Sequence, residues 1–386
     1  MIRVLHACDP GEASRRLDFH GVFQADKTRL IRDLRPYLLC ISDEEMAHAL
    51  IPLLARRKIP LAWGKRVLFF SVSSVDQLDR WTGEDGGSRS ALGRVREAIR
   101  RYLERDFVVP CRGREIRPGG SPGIMGILNV TPDSFFDGGK YDSAEAAVRQ
   151  GLEMAAEGAD IIDIGGESTR PGSLPVPAVE EIARVVPVIR ELARKTEALL
   201  SVDTRKAAVA REAIVAGAHI VNDTSALADD PEMAGVIGES GCAVVLMHRR
   251  GTPATMQLAP SYESLFDEML EEIQKRIDVA VSAGIPKERI LIDPGVGFGK
   301  RFEDNLALHR HLPDLRNLGR PVVFGPSRKA FIGRITGREA SGRIFGTAAS
   351  VAFAASRGVD ILRVHDVKEM KEVVRVVTAI REGDEC

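Results

Sequence analysis

The chain is poor in cysteine and tryptophan, carries no excess charge of either sign and has no long apolar run. Its 386 residues include two tryptophans and five cysteines: Cys8, Cys40, Cys111, Cys242 and Cys386. No two of these form a CxxC pair, which excludes a disulfide framework and predicts reduced thiols in a cytoplasm. Lys+Arg number 54 against Asp+Glu 55, a net charge of -1, which argues against a surface drawn as a whole to nucleic acid or to anionic membrane. The apolar stretch after Met1 is far shorter than the ~7–15 residues of a signal peptide. No run approaches the ~18 apolar residues of a membrane span. A soluble, cytoplasmic protein is expected. Hydrophobic residues make up 44% and charged residues 28%, ordinary globular values with ample material for a core. Residues 1–117 carry a balance of +6 and residues 118–386 a balance of -7, so the two parts differ in character.

From about residue 123 a rhythm sets in. Eight apolar runs, at 124–130, 161–164, 199–202, 219–221, 243–247, 290–292, 322–324 and 361–364, alternate with amphipathic stretches such as 143–157, 179–195, 205–216, 262–283 and 350–357. Glycine-containing phrases, Glu157-Gly158-Ala159-Asp160 among them, precede several of the runs. Near-continuous apolar strands separated by helices predict a parallel sheet covered on both faces. Eight units in about 260 residues fit a (β/α)8 TIM barrel; a doubly wound open sheet is the alternative. In a barrel the C-terminal strand ends form the active rim. Here those ends read Asn129, Gly165-Gly166-Glu167-Ser168-Thr169-Arg170, Asp203, Asn222-Asp223, Met247-His248, Asp293, Ser327-Arg328-Lys329 and Arg363-Val364-His365-Asp366. The opposite turns carry mostly Gly and Ala.

Residues 1–104 lack this rhythm and read as a small α/β domain of unassigned role. It has a strand at 67–72 and helices at 27–35, 44–51 and 90–105, the first two stopped by Pro36 and Pro52. The predicted division is 1–104 and 105–386. Residues 105–122 are a hairpin and linker, turning at Arg112-Gly113 and able to close the barrel's bottom.

Asp203, Asn222 and Asp293 end strands three, four and six and suit a flat heterocycle with several N–H donors, since buried donors need acceptors. Capping of the following helix is the structural alternative for each, Asp203-Thr204 above all. Arg170, Lys329 and Arg363, with His365, form a cationic group fit for a phosphate or pyrophosphate. The Gly/Pro-rich loops 131–139 and 167–172 have the composition of segments that close over a reacting centre. Gly295-Val296-Gly297-Phe298-Gly299-Lys300 fails as a phosphate loop, because Arg301 stands where Ser or Thr is needed. His309 and His311 lie two apart on a helical stretch and make poor metal partners.

Met125-Gly126-Ile127-Leu128-Asn129-Val130-Thr131-Pro132-Asp133-Ser134-Phe135 with Asp137-Gly138-Gly139 resembles the first signature of the dihydropteroate synthase family. Asp163-Ile164-Gly165-Gly166-Glu167-Ser168-Thr169-Arg170-Pro171-Gly172 resembles the second. Further matches at 201–204, 221–223, 247–253, 293–295, 327–329 and 363–366 follow in family order across 123–382. The resemblance implies condensation of 6-hydroxymethyl-7,8-dihydropterin diphosphate with p-aminobenzoate, giving 7,8-dihydropteroate and pyrophosphate for folate. By the same resemblance Asp203, Asn222 and Asp293 bind the pterin's aminopyrimidine edge, with Met247 beside them. Lys329 reaches the pterin and Arg363 lies along its face. Asn129 holds Mg2+, which engages the diphosphate with Arg363, His365, Thr169 and Arg170. Phe135, Pro171 and Phe298 shape the p-aminobenzoate pocket, and Asp133, Lys329 and Arg363 carry the catalytic roles.

Two departures stand out. Phe136 replaces the small residue usual in the first loop, and Ala330 stands where many members carry a serine able to meet the p-aminobenzoate carboxylate. Two other functions share the barrel: a methyltetrahydrofolate:corrinoid methyltransferase, which has no use for a diphosphate site, and a non-catalytic pterin-binding paralogue. The apolar spacing of Val351, Phe353 and Ala354, and of Val373, Val374, Val376 and Val377, predicts a homodimer through the last helices.

Overall fold

The computed structural model describes residues 2–383 apart from 7–13, 15–16, 18–21, 23, 33–36, 65–66, 82–85, 132–139, 169–174, 253–254 and 257. The chain divides into two compact units, Met1–Glu104 with Pro313–Gly319, and Arg105–Leu312 with Arg320–Cys386.

The first unit is built on a four-stranded antiparallel sheet of β1 (Ile2–His6), β2 (Tyr37–Ile41), β3 (Leu61–Gly64) and β4 (Val67–Val72), in the order β1-β2-β4-β3. Alternate side chains of a strand face opposite ways, and both faces of this sheet are buried. Leu39, Ile41, Leu68 and Phe70 join a core with the helices Glu44–Arg56 and Gly86–Leu103. Leu38, Cys40, Val67 and Phe69 join another with Leu30 of the helix Gln24–Arg32. The helix at 44 does not stop before Pro52: it runs to Arg56 with the proline inside it. Pro52 lies on the exposed side, as does His48, whose carbonyl loses its partner. Burial of Leu50, Leu53 and Leu54 on the other side outweighs the lost bond.

The second unit is a (β/α)8 barrel. Its strands are β7 (Gly123–Asn129), β8 (Ile161–Gly165), β9 (Leu199–Asp203), β10 (Ile220–Asp223), β11 (Ala243–Met247), β12 (Ile290–Asp293), β13 (Val323–Phe324) and β14 (Ile361–Val364). All pair in parallel in the order β12-β11-β10-β9-β8-β7-β14-β13, and the ring closes through the parallel bridge Ile292–Val322. Each expected apolar run is a strand to within two residues. The helix expected at 350–357 begins earlier, at Ile344. Gly346 and Thr347 are weak helix formers that hide this start, and the Thr347 hydroxyl accepts the Arg328 amide at 3.1 Å.

Residues 109–116 form the expected hairpin, β5 (Val109–Cys111) and β6 (Arg114–Ile116), with Arg112 and Gly113 both at positive φ in the turn. Val109 and Cys111 pack against Met125, Ile161, Leu199, Ile220, Val245, Leu291 and Ile361. The Arg112 guanidinium donates to the carbonyls of Ile214 and Ala218. The hairpin thus plugs the N-terminal end of the barrel and gives it an apolar floor.

Candidate active site

Strand parity converts that floor into a site. Residues two apart on a strand share a face, and inward-facing side chains fill a barrel in layers. Two positions beyond the floor residues Ile161, Ile220, Val245, Leu291 and Ile361 stand Asp163, Asn222, Met247, Asp293 and Arg363. Four beyond Leu199 and Met125 stand Asp203 and Asn129. An apolar layer therefore carries a polar one directly above it.

Arg363 organises the polar layer. Its Nε donates to Asp163 Oδ2 and its Nη2 to Asp203 Oδ2, each at 2.7 Å. Asn222 Nδ2 donates to Asp163 Oδ2 at 3.0 Å. Burial opposes the charge on Arg363, but the carboxylates of Asp163 and Asp203 outweigh it and raise the pKa above its ordinary value. Burial pushes the Asp203 and Asp293 carboxyls up, with Arg363 pulling against it at both. Oδ1 of Asp163 and Oδ1 of Asp203 are buried without a hydrogen-bond partner. Asp203 caps no helix: the next begins at Ala207 after Lys206, without a side-chain cap. Asp293 accepts the Gly295 amide at 2.6 Å.

Lys329 is half-buried, its Nζ 4.4 Å from the centre of the Phe298 ring. Burial, then the charge of Arg363, lowers its pKa to about 8. Arg328, just before it, has a left-handed backbone at φ +56 and pairs with Asp366, which fixes where Lys329 leaves the chain. His365 departs from the expectation of a cation. Burial, then Arg363 and Arg328, pushes its pKa down to about 3, so it is neutral and bonds Ser327 Oγ through Nδ1 at 2.9 Å. Ala330 is exposed at the first turn of the helix Ala330–Thr336.

Asp203, Asn222, Asp293, Lys329, Phe298 and Arg363 are thus brought together, and Met247 pairs in register with Asp293. Asp133, Phe135, Phe136, Thr169, Arg170 and Pro171 lie outside the described residues. Reading only the last residue of each strand missed Asp163, which sits mid-strand but on the inward face; counting parity back from the rim would have found it. Also missed were Arg205 and Lys206, which hold Glu167 at the start of the second loop, Arg205 at 2.8 Å.

Residues 125–365 match the pterin binding enzyme family. A dihydropteroate synthase of Synechocystis is 44% identical over 258 residues, 67% of this chain and 89% of that one. The chain belongs to the dihydropteroate synthase family. A family member from Xanthomonas albilineans, solved with 4-aminobenzoic acid, is 47% identical with a TM-score of 0.67, over 71% of this chain and 98% of that one. The Yersinia pestis synthase, solved in a sulfonamide drug complex, is 42% identical with a TM-score of 0.68, over 72% of this chain and 100% of that one. The uncovered share of this chain is close to the length of its first unit. Among the described residues no helix is long and apolar enough to cross a membrane.

Proposed function

We propose that the barrel condenses 6-hydroxymethyl-7,8-dihydropterin diphosphate with p-aminobenzoate, a transferase reaction of folate biosynthesis, chiefly by positioning and electrostatics. One observation carries this reading: two buried carboxylate oxygens without partners, on Asp163 and Asp203, stand beside the half-buried Arg363 on the inward face of the barrel. An orphaned buried acceptor is destabilising until a donor arrives, and an aminopyrimidine edge presents several donors on one plane. Asp203, Asn222 and Asp293 hold that edge, while Arg363 and Lys329 flank the ring and the departing group. The C–O bond to the exocyclic methylene breaks, its electron pair leaving with diphosphate, and the dihydropterin spreads the resulting positive charge. The arylamine nitrogen then forms the C–N bond and its proton passes to solvent. No strong general base is needed, since an arylamine is neutral at pH 7 and only has to be held in line. His365, being neutral, serves as a hydrogen-bond partner and adds no charge. A methyl-transferring relative would have no use for Lys329 and Arg363 on the rim.

The test is pyrophosphate release, which should require p-aminobenzoate. A chain beginning at Arg105 should keep kcat within threefold, because residues 1–104 are an accessory unit and the plugging hairpin is retained. Release without p-aminobenzoate, or none with it, would sink the assignment.

The residues fit Mg2+. Asn129 is half-buried and on the inward face, and among the described residues no three His, Cys, Asp or Glu side chains cluster as metal ligands. One amide oxygen suits an ion that takes its other ligands from water and substrate phosphates. When bound with the diphosphate, the ion supplies charge neutralisation on the leaving group. Excess EDTA should abolish activity, and full activity in EDTA would remove Asn129 from this role.

The protein is a cytoplasmic homodimer in this reading, the compartment in keeping with the buried thiols of Cys111 and Cys242. Val351, Ala354 and Val374 prove to be buried within the barrel unit, but Ile335, Phe345, Phe353, Val376 and Ile380 on the last helices stay exposed, Phe345 at 86%. Light scattering at micromolar concentration should give twice the 42.1 kDa chain mass; a monomer would refute it.

A further inference from the structure

Behind Phe298, side chains from several parts of the barrel close a ring that the chemistry itself does not require. Lys300, only 2% exposed, directs Nζ to His248 Nδ1 at 2.9 Å, to the Phe298 carbonyl at 3.1 Å and to the His248 carbonyl at 3.4 Å. His248 Nε2 meets Glu272 Oε2 at 2.8 Å, and the other Glu272 oxygen takes Arg250. The Arg250 guanidinium lies 4.1 Å over the Tyr262 ring. The Tyr262 hydroxyl donates to the Gly299 carbonyl at 2.7 Å, one residue from where the ring began.

The backbone beneath is pressed together. A Cβ on Gly295 would stand 2.1 Å from the His248 carbonyl oxygen and one on Gly299 2.3 Å from that of Arg250, both glycines being at positive φ. The segment 295–300 therefore lies directly on 248–250, and its other fixed points are the Gly295 amide on Asp293 and the Gly297 amide on Asn305. Burial, then the Lys300 charge, lowers the His248 pKa to about 4. A neutral His248 that accepts from Lys300 at Nδ1 must donate to Glu272 from Nε2. Burial, the largest influence, lowers the Lys300 pKa to about 7; in the protonated form, which burial penalises unless its protons are taken, each proton has an acceptor.

We infer that Lys300 is a positioning residue for the second substrate: by holding the Phe298 carbonyl against His248, it sets where the Phe298 ring stands beside Lys329 and so governs affinity for the arylamine. This rests on the proposed function and on the family resemblance by which Phe298 borders p-aminobenzoate. The charged groups facing Lys300 are Asp293, Glu272, Asp304 and Lys329, so its charge also reaches the pterin end, and the test must separate the two effects.

Lys300→Met keeps the apolar stem and removes the donors. Tyr262→Phe opens the far side of the ring without changing any charge. In the full chain, Lys300→Met should raise the KM for p-aminobenzoate at least tenfold. Its kcat at saturation, and its Kd for a pterin ligand by calorimetry, should stay within threefold. Tyr262→Phe should raise the same KM severalfold, and decides alone if the first variant does not fold. Pterin affinity falling as far as p-aminobenzoate affinity, or KM unmoved in a folded variant, overturns the inference. Failure of the unaltered protein to release pyrophosphate overturns the functional reading beneath it.

Discussion

Asp203→Ala is expected to raise the Kd for a pterin ligand about a hundredfold, roughly 2.7 kcal/mol. The substitution removes a buried acceptor that has one oxygen on Arg363 and the other without a partner. A hydrogen bond to a charged group contributes about 1.5–3 kcal/mol. The loss should not be larger, because Asp163 still holds Arg363 in place. Calorimetry with a pterin that lacks the diphosphate isolates this edge of the site. An affinity within threefold of the unaltered protein would take Asp203 out of pterin recognition.

Arg363→Met has the largest expected effect and acts on two quantities. Its kcat should fall at least a thousandfold, about 4.1 kcal/mol of barrier, since the proposed mechanism places this cation beside both pterin and leaving group. The fold should also lose stability, by about 3–5 kcal/mol, because Asp163 and Asp203 are left buried without their partner. The pH dependence identifies the cause. Even with Arg363 present, burial pushes the Asp203 carboxyl up to about 7, against about 3.9 in an unfolded chain. In the variant the largest opposing charge is gone and only the weaker pull of Lys329 remains, so the folded state binds protons that the unfolded state has released. Stability then falls as pH rises across that interval. The thermal midpoint of the variant should therefore drop between about pH 5 and pH 8. A midpoint that is flat across this range, or a kcat within tenfold, would mean the guanidinium is not the partner of these carboxylates.

The barrel was legible because its signal is repetitive. Eight apolar runs such as Ala243–Met247, each followed by an amphipathic stretch, leave a parallel sheet as the economical burial of both faces. The hairpin at Arg112-Gly113 was legible from turn chemistry, and the rim from the polar residues at or just beyond the strand ends, such as Asn129, Asp203 and Asp293. Less was legible where packing overrides local preference. Pro52 lies inside a helix because Leu50, Leu53 and Leu54 bury the opposite side. The helix at Ile344 starts ahead of Gly346 and Thr347, and the buried Thr347 hydroxyl accepts the Arg328 amide, a contact that local propensity does not report.

The amino-acid sequence by itself determined the succession of the strands and the family motifs at their ends, since these depend on spacing along the chain. Only the tertiary structure decided which rim groups act on each other. The Asp163–Arg363 contact joins positions 200 residues apart, and no local pattern reports a contact of that kind. The same holds for charge. His365 reads as a cation beside Arg363 and Lys329, yet burial next to those two groups leaves it neutral. Lys300 reads as part of a failed phosphate loop, yet its burial against His248 and the Phe298 carbonyl makes it an anchor of the segment that carries Phe298. Desolvation and the distance between charges set protonation and pairing, and both exist only once the barrel has closed.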